Sequence, residues 1–140
     1  MKTLIIYYSY TGKTKILAVE KAGELNADIE EVTEIKKPSM FKAFFIGVPC
    51  ALKRKKAKIN PVKSEFSNYD KIIIMAPVWA GNPAPAFNNI IEYIPSGKKI
   101  ELIMVSAGGG TKDSAEKTKA LVTSRGCEVI TYTDVNAHKK

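Results

Sequence analysis

Short apolar runs alternate along the chain with segments of helical periodicity. Three runs show no polar alternation: TLIIYYS at 3–9, YDKIIIMAP at 69–77 and IELIMVSA at 100–107. Continuous apolar runs are typical of parallel strands that are covered on both faces. The more polar segments 27–35 and 127–135 predict two further strands, of which the first suits a position nearer the sheet edge.

Four helices are predicted between these strands, because apolar residues recur there at helical spacing. The first covers Gly12 to about Asn26, and its recurring apolar residues are Ile16, Val19, Ala22 and Leu25. The third covers 85–94 and directs four residues inward: Phe87, Ile90, Ile91 and Ile94. In the fourth, Asp113 and Glu116 fit a capping box and Gly126 fits the helix stop.

The second helix begins after Ser39, a suitable N-cap, and should kink or end at Pro49. Its apolar stripe consists of Met40, Phe41, Phe44, Phe45 and Val48. We expect this stripe to cover the sheet. A dimer or partner surface is the alternative.

This strand and helix order predicts an α/β fold with a parallel sheet, because alternating βαβ units build such sheets. Right-handed crossovers then place helices on both faces of the sheet. In open α/β sheets, ligands bind outside the carboxyl ends of the strands. The loops after the first, third and fourth strands therefore hold the candidate site.

The length of 140 residues predicts a single domain, 1–140, and 45% hydrophobic residues suit a globular protein. No apolar run approaches the roughly 20 residues of a membrane helix, and the N-terminus lacks a small-residue cleavage site. We therefore expect a cytoplasmic protein without a membrane partner. Cys50 and Cys127 are too few for a disulfide framework and lack metal-ligand spacing, so both should be reduced.

The formal net charge of +8 is concentrated in one stretch. Six cations and no acidic residue lie between positions 53 and 63: Lys53, Arg54, Lys55, Lys56, Lys58 and Lys63. A nucleic-acid surface is one interpretation of this stretch, but it lacks interleaved aromatic residues. We expect a solvated helix end and loop, and no nucleic-acid partner.

The first of the three loops, SYTGKT at 9–14, leads from a strand into a helix. The N-terminus of a helix favours an anion, because its backbone N–H groups and dipole point outward there. Ser9, Thr11 and Thr14 add hydroxyl donors, and Gly12 permits a close turn. A nucleoside triphosphate P-loop would require glycine at position 7, where the chain has Tyr7. The loop therefore predicts a cradle for a different phosphate, and a hydroxyl-rich helix cap is the structural alternative.

The other two loops suit a planar ligand. In APVWAGNPAP at 76–85, Trp79 offers a flat apolar face, and prolines stiffen its surroundings. In SAGGGTKDS at 106–114, three successive glycines allow the backbone to approach a ligand closely. The structural alternatives are a Trp79 that covers the sheet end and a flexible connection after the fourth strand.

These motifs resemble the flavodoxin family over nearly the whole chain. SYTGKT is similar to the family's T/S-x-T-G-x-T phosphate loop, and PVWAGNPAP is similar to the P-x-W-x-G-x-P-x-P segment of flavodoxin-like reductases. The resemblance implies a three-layer α/β/α flavodoxin-like fold with a five-stranded parallel sheet of order 2-1-3-4-5. It also implies FMN as the cofactor.

The resemblance also implies the cofactor-binding residues. The phosphate would be held by Ser9, Tyr10, Thr11, Gly12, Lys13 and Thr14. The isoalloxazine ring would be bordered by Pro77, Val78, Trp79, Ala80 and Gly81, and its other side would contact Ser106, Ala107, Gly108 and Gly109.

We find no residue with the features of an acid–base catalyst and no metal site in the sequence. His138, the only histidine, is expected to lie in the tail. The implied function is electron transfer through bound FMN, either as a carrier or as a small NAD(P)H-linked reductase. If the protein is an enzyme, it is an FMN-dependent oxidoreductase that acts on a nicotinamide or quinone, as a monomer or homodimer. A binding module that has kept the fold and lost the cofactor is the alternative.

Overall fold

The structure is a computed structural model that describes residues 2–137. Its strands are β1 (Thr3–Tyr8), β2 (Asp28–Val32), β3 (Lys71–Trp79), β4 (Asn82–Pro83), β5 (Lys99–Ser106) and β6 (Glu128–Asn136). Its α-helices are α1 (Lys13–Leu25), α2 (Met40–Lys42), α3 (Val48–Leu52), α4 (Ala86–Tyr93) and α5 (Ala115–Thr123). The predicted tail residue His138 lies outside the described residues.

Five strands pair in parallel in the order β2-β1-β3-β5-β6. Counted along the chain without the short β4, this is the predicted order 2-1-3-4-5, and the predicted fold class is confirmed. β4 was not predicted; it pairs antiparallel with the end of β3. The central strand β3 pairs over 71–75 with β1 and over 71–77 with β5.

Each face of the sheet is covered by helices. Side chains of alternate strand residues point to opposite faces. Ile5, Ile73 and Ile103 pack on the side of α1, and Ile6 and Ile74 pack on the side of α4 and α5. The four predicted inward residues of α4 are all buried: Phe87, Ile90, Ile91 and Ile94.

The buried face of α1 differs from the apolar repeat seen in the sequence. Ile16, Val19 and Leu25 are exposed, whereas Thr14 and Ala18 are buried. Small side chains at the contact allow a helix to lie close to its neighbour. The sequence thus predicted the extent of α1 correctly but did not predict which residues form its buried face.

The segment 40–52 is a continuous helical stretch with an irregular centre. Ser39 caps it as predicted, since its Oγ accepts a hydrogen bond from the Lys42 N–H at 3.2 Å. A π-helical turn at Ala43–Gly47 precedes α3. Pro49 lies in the first turn of α3, where a missing N–H is tolerated, so the helical stretch does not end there.

The expectation that the stripe of this helix covers the sheet is wrong. Met40, Phe41, Phe44 and Phe45 are between 59 and 73% exposed. Helical periodicity identifies an apolar face, but it does not say which element that face meets.

The helical stretch approaches the sheet end through Gly47. A Cβ atom at Gly47 would lie 2.5 Å from Cζ3 of Trp79. Only a residue without a side chain allows the indole to pack this closely against the helix backbone. Gly47 therefore sets the distance between the helix and the end of β3.

Two further predicted boundaries differ from the structure. β3 continues through Pro77 to Trp79, since β1 pairs only as far as Met75 and Pro77 therefore needs no N–H donor toward β1. α5 begins after Ser114, so the predicted capping box of Asp113 and Glu116 does not form at its start. Gly126, with φ of 83°, follows the end of α5 as predicted.

Among the described residues, Cys50 and Cys127 form no disulfide, and no helix has the length and apolar character required to cross a membrane.

We expect Gly47→Ala to lower the free energy of unfolding by about 1–3 kcal/mol, because the added methyl group overpacks the contact with Trp79. The backbone at Gly47 is helical, so alanine meets no conformational strain there. Urea denaturation measures the stability. Trp79 is the only tryptophan, so its emission reports the displacement directly.

Gly23→Ala is the matched control. Its Cβ would meet no atom within 4 Å inside α1, so it should raise the stability by about 0.5–1 kcal/mol and leave the emission unchanged. If Gly47→Ala behaved in the same way, the close packing of helix and indole would be wrong.

Candidate functional site

Parts of all three predicted loops line one cavity at the carboxyl edge of the sheet. The cavity has a volume of about 150 Å³. Nine of the fifteen predicted residues line it: Tyr10, Thr11, Lys13, Thr14, Pro77, Val78, Trp79, Ser106 and Ala107. The other six predicted residues are not part of its lining.

The first loop forms a turn that opens α1 toward the cavity. Gly12 has φ of 99°, a conformation that residues with a side chain rarely adopt. The Ser9 Oγ accepts hydrogen bonds from the N–H groups of Gly12 (3.1 Å) and Lys15 (3.2 Å). Ser9 therefore holds the shape of the loop, whereas Thr11 and Thr14 lie in the cavity wall.

The N-terminus of α1 keeps a positive electrostatic character. Its first turn contains no acidic residue, and Gly12 offers no side-chain cap. The first backbone N–H groups of a helix have no partner within the helix itself. The arrangement favours an anionic group between these N–H groups and the Thr11 and Thr14 hydroxyls.

Trp79 is held at the cavity by other aromatic side chains. The rings of Tyr8 and Tyr10 meet it edge-to-face, with centroid distances of 6.3 and 5.7 Å. Tyr10 in turn donates a hydrogen bond from its hydroxyl to the Pro38 carbonyl at 2.7 Å. Trp79 is therefore half-buried rather than freely exposed, and it borders the cavity as a positioned wall.

The second loop is a tight hairpin turn. Val78 and Trp79 of β3 pair with Pro83 and Asn82 of β4, which leaves Ala80 and Gly81 as the two turn residues. Both have positive φ, 52° and 82°, as a type I′ turn requires.

A bond from α5 fixes this turn from the other side. The hydroxyl of Ser114, a buried residue, donates to the Gly81 carbonyl at 2.5 Å. This contact could not be predicted from the sequence, because a serine before a helix also suits an ordinary cap.

The third loop is exposed at its centre and anchored at its end. Gly108 and Gly109 lie at the rim, and a Cβ at either would meet no atom within 4 Å. Thr111 anchors the loop, since its backbone N–H and its hydroxyl both donate to Asp134 at 3.2 and 2.6 Å. The space next to these glycines is therefore open, and their predicted close contact with a ligand stays a prediction.

The sequence did not predict several residues of the site. Val105 and Ala137 also line it, and the Ala137 N–H donates to the Ser106 carbonyl at 2.7 Å. The rule that ligands bind at strand ends could have indicated Ala137, because β6 neighbours β5. Arg54 donates to the Thr118 hydroxyl at 2.9 Å and so connects the basic stretch to α5.

Burial changes the protonation equilibria of several groups near the site. Burial, with a hydrogen bond to Glu34, raises the pKa of Tyr8. Burial also raises the pKa of Tyr132, which lies beside Thr111, and lowers the pKa of the Arg54 guanidinium. Burial, together with Glu31, raises the pKa of Tyr7 to about 12. These three tyrosines are therefore neutral at physiological pH and contribute hydroxyl groups rather than charge.

Solved structures that resemble this chain are flavoproteins. The FMN complex of a flavoprotein from Lactobacillus acidophilus has a TM-score of 0.81 and 25% identity, covering 97% of this chain and 94% of that one. Megasphaera elsdenii flavodoxin has a TM-score of 0.58 and 20% identity, covering 96% and 86%. The apo form of an NADH:FMN oxidoreductase has a TM-score of 0.59 and 13% identity, covering 98% and 77%. The last two likenesses concern the fold alone.

Among curated proteins, none matches this sequence. A family-level sequence profile, described as NADPH-dependent FMN reductase, matches residues 1–139. This match covers the strands, the three loops and the helices described above. The chain therefore belongs to the NADPH-dependent FMN reductase family.

Proposed function

We propose that this protein is an FMN-dependent reductase that takes its electrons from a nicotinamide nucleotide. The convergence of three strand-end loops on one cavity, at the N-terminus of α1 and beside Trp79, carries the proposal. The expected flavodoxin-like identity and the expected cofactor, FMN, are confirmed by the family and by the FMN complex of the Lactobacillus acidophilus flavoprotein. The alternative of a module without cofactor is not favoured.

The chemistry of the first loop fits the phosphate of FMN. The N-terminus of α1 has no acidic residue in its first turn, and the hydroxyl side chains of Thr11 and Thr14 line the adjacent cavity. In this proposal Thr11, Lys13 and Thr14 contact the phosphate together with the backbone, whereas Ser9 and Gly12 maintain the loop.

The second and third loops suit the isoalloxazine ring. Trp79 supplies an apolar wall, Pro77 and Val78 continue it, and Ser106 and Ala107 form the opposite side. The turn at Ala80 and Gly81 lies beside this wall and presents backbone groups to the ring edge.

Bound FMN supplies the hydride and electron chemistry, so the protein requires no acid–base catalyst of its own. The side chains of the protein bind the phosphate, orient the ring and exclude water from one ring face. On the opposite side, the glycines that follow Ser106 and Ala107 carry no side chain, which leaves part of the other face accessible. This access favours a reductase, which must admit a nicotinamide, over a carrier that only docks on proteins.

The direct test is an absorption spectrum of the purified protein with and without added FMN, followed by anaerobic addition of NADPH or NADH. We expect bound flavin to be bleached by the nicotinamide and restored by a quinone. Bound flavin that a nicotinamide does not bleach would indicate a carrier, and protein that fails to bind FMN would indicate a module.

Thr11→Asp should weaken FMN binding by about tenfold to a hundredfold, because a carboxylate would face the phosphate. Riboflavin has no phosphate and should lose much less affinity. Fluorescence quenching of each flavin measures both dissociation constants.

Ser67→Asp is the control, since it adds the same charge at an exposed position outside the cavity lining. It should leave both affinities unchanged. Equal losses of FMN and riboflavin affinity in Thr11→Asp would show that the phosphate does not bind beside Thr11.

Gly108→Tyr should lower the rate of NADPH oxidation by about tenfold or more, because a ring at the open rim would cover the accessible flavin face. A side chain at Gly108 meets no neighbouring atom, so the fold and FMN binding should be preserved. Stopped-flow reduction kinetics give the rate.

Gly23→Tyr places the same side chain in α1, roughly 16 Å along the helix from Gly12. It should not change the rate. An unchanged rate in Gly108→Tyr would argue that the nicotinamide approaches from another direction.

A further inference from the structure

One segment of the chain carries more than the whole net charge. Residues 35–64 contain nine cations and no acidic residue. Because the complete chain carries +8, the other 110 residues together carry −1. The net positive charge of this protein is therefore concentrated in one segment of the sequence.

The same region contains the largest exposed apolar side chains. Met40, Phe41, Phe44, Phe45 and Ile46 are 73, 69, 66, 59 and 60% exposed. The three phenylalanine rings contact one another, with centroid distances of 4.4 and 5.1 Å. Contiguous exposed apolar patches mark interaction sites. We call Met40, Phe41, Phe44 and Phe45 the aromatic patch.

Cations lie directly beside the aromatic patch. Lys42 follows Phe41 in the same helical stretch. The Lys37 ammonium lies 4.8 Å from the centroid of Tyr10, which shares a shallow cavity with Met40 and Phe44. Within residues 2–137, Lys56 is the one cation of the segment that forms an ion pair, with Glu92. Most of the positive charge of this segment is therefore available to a partner outside the chain.

The composition favours a lipid surface over a protein partner or a second copy. Eight of the nine cations are lysine, whereas protein interfaces are depleted of lysine and enriched in arginine. A second copy would bring the same positive segment against its own equivalent, and like charges repel. Exposed phenylalanines with surrounding lysines are the composition of helices that lie in the interface of anionic bilayers.

We propose that the aromatic patch, with Lys37 and Lys42 beside it, docks this protein reversibly on an anionic phospholipid surface. This interaction differs from the sequence-based expectation of no membrane partner, which rested on the lack of a membrane-spanning apolar run. Tyr10, Thr11 and Trp79 line the same shallow cavity as Met40 and Phe44, so docking would place the mouth of the candidate site at the lipid surface. A lipid-dissolved acceptor could then reach it without crossing water.

The test is co-sedimentation of the full chain with phosphatidylcholine vesicles that contain about one-third phosphatidylglycerol, compared with pure phosphatidylcholine. We expect binding to the anionic vesicles only, and loss of binding when salt is raised from about 0.15 to 1 M, because the Debye length falls from about 8 to 3 Å. Absence of binding to anionic vesicles would overturn the proposal.

Two sets of variants identify the contact. The triple variant Phe41→Ser, Phe44→Ser, Phe45→Ser should weaken vesicle binding by about tenfold or more. The control, Ile16→Ser with Val19→Ser, removes exposed apolar side chains from α1 and should bind as the natural chain does. Urea denaturation confirms that each variant is folded, which is expected because the replaced side chains are exposed.

Analytical ultracentrifugation distinguishes the competing occupant. A concentration-dependent dimer that the triple serine variant abolishes would show that the patch joins two copies, and would overturn the lipid proposal. Vesicle binding that persists unchanged in the triple variant would also overturn it. Neither result depends on bound FMN, so both are separate from the test of the reductase function.

Discussion

The burial of β3 on both faces is the constraint on which the remaining structure depends. Residues 72–76 have no access to solvent beyond 1%, because β1 and β5 flank the strand and helices cover both of its faces. A ligand can therefore reach β3 only beyond the point where a neighbouring strand ends. β1 pairs no further than Met75, so Pro77, Val78 and Trp79 are the first residues of β3 that can meet a ligand, and all three line the cavity.

The second and third loops act together because hydrogen bonds join them to each other and to β6. Ser114 connects α5 to the hairpin turn at Gly81, and Thr111 connects the third loop to Asp134 on β6. Arg54 extends this set of contacts to the basic segment through Thr118. The position of each loop is therefore fixed by elements distant in sequence, and the cavity wall is shaped as one unit.

The sequence predicted what depends on local pattern and failed where a contact partner decides. Continuous apolar runs identified the central strands, and the spacing of Phe87 and Ile90 identified the buried face of α4. In α1, the small residues Thr14 and Ala18 are buried, whereas the larger Ile16 is exposed. A local sequence pattern does not reveal how closely a neighbouring element packs. For the same reason the exposure of the aromatic patch and the bond from Ser114 to Gly81 could not be predicted.

The left-handed conformation of Ala80 has a consequence for binding. A residue with a side chain adopts a positive φ only at a cost of about 1–3 kcal/mol, which the pairing of β3 with β4 must offset during folding. The turn is thus preorganised: it is ordered before any ligand arrives. A ligand that meets such a turn loses less affinity to conformational entropy than one that must order a flexible loop. Folding therefore offsets the conformational cost at Ala80 in advance, and ligand binding does not have to offset it.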